Sequence, residues 1–348
     1  MKYSDINIFC CPKCRGDLRF AKINGFSGDL DASRACVQEE LAREVLEGLV
    51  VCADCHCQYP ILESIPRFVK SNTYAASFGY QWKKFSRTQF DAQHTQMSKT
   101  RFYATAKWPD NLQGQLILEV GCGAGRFSGV ALDTQAEVYS FDLSDAVEAC
   151  RDNVRSSGLR RRHHLFQADI YNIPLPYEMF DKIFCFGVLQ HCPDPRKACL
   201  GMVPFLKPQG ELVFDCYLKL PLKDVTNPKY LLRPFLKWWK PSWLFVFCKT
   251  VISLVYDMKS WFAKIPLIGK FISGLLPIGP LQYELGYHHT VSEIKEIKAL
   301  SMFDMLSPKY DLPQRISSVQ LWLESAGLEI LELTIGYNGI NARARKKI

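Results

Sequence analysis

The stretch "QLILEVGCGAGRFSGVAL", beginning at Gln115, constrains this chain more than any other. A short run of aliphatic residues, "LILEV", reads as a buried strand, and the helix-patterned "RFSGVAL" follows after only five residues. Those five include Gly121, Gly123 and Gly125, which let the backbone turn sharply and approach a ligand closely because no Cβ intervenes. A strand that ends in a glycine turn and opens a helix is the context of a nucleotide-type loop. The pattern continues downstream: "EVYSF", "HLFQA", "DKIFCFG" and "GELVFD" read as strands, with helices between them. One helix is N-capped by Ser144 and carries Val147, Cys150 and Val154 on one face; another, "PRKACLGMVPFLKP", stops at Pro208. Continuous apolar strands alternating with helices predict a parallel sheet covered on both faces.

Asp142 lies 21 residues beyond Gly121, at the end of the second strand, where an acidic side chain accepts hydrogen bonds from ribose hydroxyls. The spacing is GxGxG, with Arg126 where a dinucleotide fingerprint places its third glycine, which argues against a nicotinamide or flavin cofactor. No Gly-Lys-Ser/Thr follows, so the turn is not a P-loop. Glu119 would repel a pyrophosphate and attract a cation. S-adenosylmethionine, with its amino group and sulfonium and no phosphate, fits these constraints.

In order along the chain, "LEVGCGAGRFS", "SFDLS", "QADIYNIPLPYEMFDKIFCFGVLQHCPDP" and "FLKPQGELVFD" resemble the class I S-adenosylmethionine-dependent methyltransferases over about residues 112–216, with a weaker echo at 317–345. The resemblance implies an α/β fold: a doubly wound, Rossmann-like, seven-stranded sheet. It implies that Glu119, Gly121, Cys122, Gly123 and Gly125 cradle the methionine part of the cofactor. By the same positions, Asp142 binds the ribose with Leu143 beside the adenine, Asp169 and Ile170 cap the adenine, and Phe186 to Gln190 floor the site. His191, after the fourth strand, is the first candidate for a general base toward a hydroxyl acceptor, since imidazole takes a proton near neutral pH. His288 and His289 in "GYHHT" are second candidates. For all three histidines a non-catalytic role in shaping or capping a loop stays open.

Upstream, "FCCPKCRGDL" and "VCADCHCQYP" place Cys11 and Cys14, then Cys52 and Cys55, in two CxxC turns separated by 37 residues. Four thiolates from two tight turns give tetrahedral zinc its preferred soft ligands, and such a closed site is structural. Cys10 and Cys57 are candidate substitutes, and His56 is expected to be exposed. Between the pairs, Val37, Leu41, Val45 and Leu49 fall at helical spacing, which predicts a helix over 37–49. With "IPRF", residues 8–69 resemble the small zinc-ribbon proteins and domains that accompany methyltransferases, although Glu63-Ser64 stands where those have an acidic residue and a glycine. The resemblance implies a stabilising or partner-like module in front of the enzyme.

The expected organisation is a zinc ribbon over 1–70, a helical linker over 71–110, and a methyltransferase domain over 111–348 carrying a helical lid insert at 217–300. In that insert Trp238, Trp239, Trp243 and Trp261 are interleaved with lysines, which suits either a helical core or a peripheral membrane contact through 234–276. The most apolar stretch, "WLFVFCKTVISLVYDM", is interrupted by Lys249, so no run reaches the roughly 20 residues of a bilayer span. The net charge of +8 is spread along the chain, with clusters at Arg160-Arg161-Arg162 and at the C-terminal tail. It reads as a solvated surface, with affinity for nucleic acid or anionic lipid as the other reading. The start, "MKYSDINIFC", lacks the apolar core of a secretory signal, and cysteines placed singly in apolar strands suit a reducing cytoplasm, the expected location. The insert and the flanking "FGYQWKKFSRTQFD" and "FDMLSPKY" lead to a hydroxyl or amine of a small molecule, sugar or glycan as methyl acceptor. A lipid or quinone acceptor, an RNA acceptor, and a non-catalytic binding partner of the same fold are the alternatives.

Overall fold

The computed structural model describes residues 1–26, 43–69, 73–85, 96–219, 228–262 and 290–348. The aliphatic runs form the middle of a sheet because their side chains are buried on both faces. Strands β5 (Leu116–Val120), β6 (Glu137–Asp142), β7 (His163–Gln167), β8 (Phe180–Cys185) and β9 (Leu206–Cys216) pair in parallel. At the far edge β10 (Leu328–Gly336) and β11 (Gly339–Lys346) form a hairpin, and β11 runs antiparallel to β9. The spatial order is β10-β11-β9-β8-β5-β6-β7, seven strands as expected, with the direction of winding reversing between β5 and β8. Helices α3 (Arg126–Asp133), α4 (Ala146–Ser156) and α5 (Pro195–Met202) make the crossovers. Asp194 caps α5 by accepting from the Lys197 amide at 2.9 Å, and Pro195 occupies the first turn, where its missing N–H costs nothing.

The N-terminal segment is a four-stranded antiparallel sheet: β1 (Leu18–Phe26), β2 (Val45–Cys52), β3 (Gln58–Leu62) and β4 (Ile65–Pro66). The expected helix over 37–49 is therefore wrong where it is described: Val45 to Leu49 begin a strand paired to both β1 and β3. Its helical spacing is outweighed by the two-sided pairing and by burial of Val45, Val50 and Cys52. The rest of that segment lies outside the described residues.

Ribbon and large sheet share one core. Phe9 packs on Phe68 and on Phe166 of β7, each with ring centroids 5.2 Å apart. The Phe68 amide donates to the Gln167 carbonyl at 2.8 Å, extending the sheet edge. Arg15 donates to the Ile173 and Leu175 carbonyls, and its guanidinium lies 4.4 Å from the Tyr177 ring. Buried His164 bridges the two layers, 3.3 Å from Asp5 and 2.7 Å from Glu137, and stacks on Tyr139.

Met1–Lys219 together with Tyr310–Ile348 make one compact unit, which also holds α1 (Ala76–Lys84), α2 (Met97–Ala106) and α9 (Ile316–Ser325). Leu220–Lys309 make a second, described by α6 (Pro228–Leu236), α7 (Pro241–Phe262) and α8 (Val291–Leu306). In it Leu244, Phe245, Cys248 and Ile252 of α7 are buried, with Phe245 edge-on to Phe303 of α8. Arg233 ties α6 to the end of α8 through the Met305 and Pro308 carbonyls. Among the described residues no helix is long and apolar enough to cross a membrane.

Candidate functional site

Because β5 to β9 are parallel, the turns after them share one edge of the sheet. Gly121, Asp142, Asp169 and Phe186 all lie at or just beyond strand ends there, at the reversal where ligands bind in open α/β sheets. The glycine turn is as tight as its spacing implies. Gly121 has φ +79°, and a Cβ there would lie 2.3 Å from Val188 of the β8 turn. Gly125 has φ +86° and would set a Cβ 2.8 Å from the Cys150 sulfur. The Gly121 and Cys122 amides both donate to the Phe141 carbonyl, tying the turn to β6.

Asp142 holds the second half of the edge. Its Oδ2 accepts from the Gly123 amide at 3.0 Å, and its Oδ1 accepts from the Ser144 amide at 2.8 Å and hydroxyl at 2.7 Å. Burial raises its pKa, against these bonds. Leu143, half-buried beside it, accepts from Gln167 through its carbonyl. Asp169 is half-buried and accepts from the Tyr171 amide at 3.1 Å; burial raises its pKa, and Ile170 is buried next to it.

Glu119 sits under the turn, 2% exposed, where its Oε2 accepts from the Ser128 hydroxyl at 2.5 Å and the Ser140 hydroxyl at 2.7 Å. Burial pushes its pKa up to about 7 even though both hydroxyls favour the anion. Cys122 is buried in the core, and burial beside Cys150 pushes its thiol up, so at this position it is the backbone that faces the edge. Phe186 is buried, with its ring 5.3 Å from that of Phe127. Gln190 is fully buried, and neither its amide nitrogen nor its amide oxygen has a hydrogen-bond partner.

His191 is 7% exposed, set between the rings of Phe78 (5.0 Å) and Tyr217 (5.6 Å). Its Nδ1 lies 3.0 Å from the Tyr310 carbonyl oxygen. A carbonyl only accepts, so in the neutral imidazole Nδ1 carries the proton and Nε2 the lone pair. His288 and His289 lie outside the described residues.

Two features escape sequence reasoning. Helix α1 spans the edge: Trp82 Nε1 lies 3.3 Å from where a Gly123 Cβ would be, Gly79 faces Ser144 and Asp145, and Phe78 meets His191. The aromatic run "FGYQW" was the available signal. Asp215, at the end of β9, accepts from Arg101 of α2 at 2.5 Å, the Gly187 amide at 2.6 Å and Asn338 at 3.0 Å. That cluster assembles residues 237 positions apart in the chain and leaves no local pattern.

The cysteines converge elsewhere. The ligand atoms of Cys11, Cys14, Cys52 and Cys55 all lie within 4.8 Å of one another, with Cys11–Cys55 at 3.5 Å and Cys14–Cys52 at 3.4 Å. Tetrahedral zinc with thiolate bonds of about 2.3 Å sets sulfurs about 3.8 Å apart, so the donor set fits. Both turns are built alike. The residue after each second cysteine, Arg15 or His56, has positive φ (69° and 56°), and its amide returns to the first cysteine's carbonyl. Cys10 and Cys57 stand outside the four, and His56 is exposed.

S-adenosylmethionine also fits its edge: two carboxylates for hydroxyl or amino groups, an unpartnered buried amide in Gln190, apolar walls from Ile170 and Phe186, and a turn with no room for a Cβ.

Residues 118–214 match the family described as "Methyltransferase domain". The chain is 31% identical over 149 residues to a protein named ubiquinone biosynthesis O-methyltransferase from Azoarcus sp., covering 40% of this chain and 64% of that one. It is 34% identical over 117 residues to methyltransferase GfsG of Streptomyces halstedii, covering 33% of this chain and 42% of that one. The chain thus spans less than two thirds of the length of these curated relatives. A solved structure described as a putative S-adenosyl-L-methionine-dependent methyltransferase from Methanococcus maripaludis aligns over 80% of this chain and 97% of that one, at 14% identity and TM-score 0.43. With the sheet order and the glycine turn in agreement with the family match, residues 118–214 form a methyltransferase domain.

Proposed function

We propose that this chain transfers a methyl group from S-adenosylmethionine to a hydroxyl oxygen of a small organic molecule. The observation that carries the reading is the gathering of the glycine turn, Asp142, Asp169 and His191 at one sheet edge, with the His191 tautomer set by the Tyr310 carbonyl. When bound, the cofactor supplies a methyl group activated by a sulfonium. The chain's part is to hold, orient and exclude water. The glycine turn admits the methionine portion, Asp142 accepts from the ribose hydroxyls, Asp169 with Ile170 caps the adenine beside Leu143, and Phe186 with Gln190 forms the floor. Glu119 acts from beneath, bracing the turn through Ser128 and Ser140. His191 Nε2 would take the acceptor hydroxyl's proton, and the bound cofactor would supply the methyl group to the oxygen so freed. Helix α1 keeps water from this edge.

The four cysteines hold zinc, which folds the ribbon and takes no part in the transfer. The acceptor is a sugar, a glycan or another hydroxylated metabolite. A phenolic, quinone-type acceptor is the second reading, favoured by relatives named ubiquinone biosynthesis O-methyltransferases. Incubation with methyl-labelled cofactor and separated pools of phenols, saccharides, lipids and RNA tests both. Label in an alkali-stable ether of one small-molecule pool supports the reading. Label in RNA, or cofactor binding without label transfer to any pool, overturns it; the latter marks a binding protein of the same fold.

A further inference from the structure

We propose that the second compact unit carries a docking face for an anionic lipid bilayer, formed by the outer side of α7 and the segment before it. Trp243, Val246, Leu254, Met258 and Trp261 are 48% to 68% exposed. At 100° per residue they fall within one arc of about 120°, a stripe about 27 Å long. The opposite side of the same helix is the buried one, with Leu244, Phe245, Cys248 and Ile252 facing the core formed with α8. The helix therefore has two apolar sides, and only one is used in folding. Immediately upstream, Phe235 (74%) and Trp238 (70%) extend the exposed surface. Exposed Thr250 and Asp257 fall in the same arc, but five apolar side chains turned to water along one side of a helix still mark an interaction site.

The chemistry of the flanks selects the occupant. Residues 228–262 contain six lysines and arginines, of which Arg233 is buried, and a single acidic residue, Asp257. Asp257 is neutralised by Lys295 at 2.6 Å. Lysines border the tryptophans, with Lys237 5.2 Å from the Trp238 ring and Lys240 5.9 Å from the Trp243 ring. A second copy of this chain would set like charge against like charge, whereas phosphate headgroups complement it. Tryptophans end the stripe at both extremes, and their rings suit the boundary between headgroup and acyl chain. Since no described helix can cross a bilayer, α7 would lie in the interface plane, outer side down. This holds whatever the methyl acceptor is.

The test is co-sedimentation of the full, zinc-loaded chain with phosphatidylcholine vesicles, with and without phosphatidylglycerol. The expected result is binding to the anionic vesicles that weakens with salt. Exchanging Trp243→Ser and Trp261→Ser should lower partitioning about tenfold each. Lys240→Glu with Lys249→Glu should remove the preference for phosphatidylglycerol. These positions are exposed, so the circular dichroism spectrum and cofactor affinity of each variant should match wild type. Absence of binding to either vesicle, or unchanged binding by the double tryptophan variant, overturns the proposal. So does a wild-type dimer in light scattering that Leu254→Arg converts to monomer, because it assigns the face to a second copy.

Discussion

The cysteine cluster and the glycine edge are both made of tight turns with positive-φ residues, yet they present opposite things. In the ribbon, two matching turns point four sulfurs at one spot, within 4.8 Å of each other, and their donor capacity closes on itself. At the sheet edge, the turn after β5 and the strand-end carboxylates lie side by side along an open line, and the buried amide of Gln190 is left without a partner. A closed donor set holds a fold together, while an open one is completed by a ligand. Cysteine crowding is the more conspicuous feature of the sequence, but the proposed chemistry belongs to the other region.

Removing the metal should separate the two regions most forcefully. Structural zinc contributes on the order of 10 kcal/mol or more to folding a small domain. Chelation, or Cys52→Ser, should release about one zinc per chain and melt the ribbon. It should also destabilise β7, whose Phe166 shares a core with Phe9 and Phe68. Metal analysis with thermal melting checks this, and a zinc-free chain with an unchanged melt would place the cluster outside the folding account.

His191→Ala probes the open region alone. It should lower kcat about 10²–10⁴-fold while leaving cofactor affinity and zinc content unchanged. Loss of cofactor affinity instead would make His191 a wall of the cofactor site.

His164→Gln should cost about 2 kcal/mol by removing the cation that Asp5 and Glu137 share across the joint between ribbon and sheet. Burial opposes the His164 cation, but its bonds to Asp5 and Glu137 prevail, so its pKa is raised. Neighbouring Lys2 works against the cation, and His163 is driven down to about 3 by burial. The sign follows from the raised value. The contribution is whole below the ordinary histidine pKa of about 6.5 and is lost as pH rises through the higher folded value. Asp5 and Glu137 have lowered pKa values, so their share is lost at the acid end, as pH falls below the ordinary carboxylate range. Denaturant midpoints against pH, wild type beside variant, should converge at high pH. A gap that stays constant with pH would remove the ionic bridge.

Gly121→Ala is the smallest perturbation. Left-handed backbone at φ +79° costs a non-glycine residue about 1–2 kcal/mol, and the Val188 contact adds to it. Cofactor affinity should fall about tenfold, read by titration, with the ribbon's zinc untouched.

How much of this was legible in the sequence follows from how local each feature is. The strands, the glycine turn, Asp142 and the two CxxC turns are written in neighbouring residues, and the sheet is as expected. Val45–Leu49 was misread because its spacing satisfies a helix while its pairing with β1 and β3 does not appear locally. Asp215 with Arg101 and Asn338, and His164 with Asp5, depend on contacts between distant segments. Glu119 was legible as an acid at the strand end, but not that Ser128 and Ser140 would hold it beneath the turn. The insert tryptophans suit a helical core first and an interface second by pattern, but Trp238, Trp239, Trp243 and Trp261 are all exposed.

The most direct test of the contrast is calorimetric titration of the zinc-loaded chain with S-adenosylmethionine, wild type beside Asp142→Ala. The account predicts one cofactor per wild-type chain and at least about tenfold weaker binding by the variant, at equal zinc content. A wild-type chain that binds none, or a variant that binds as tightly, would contradict it.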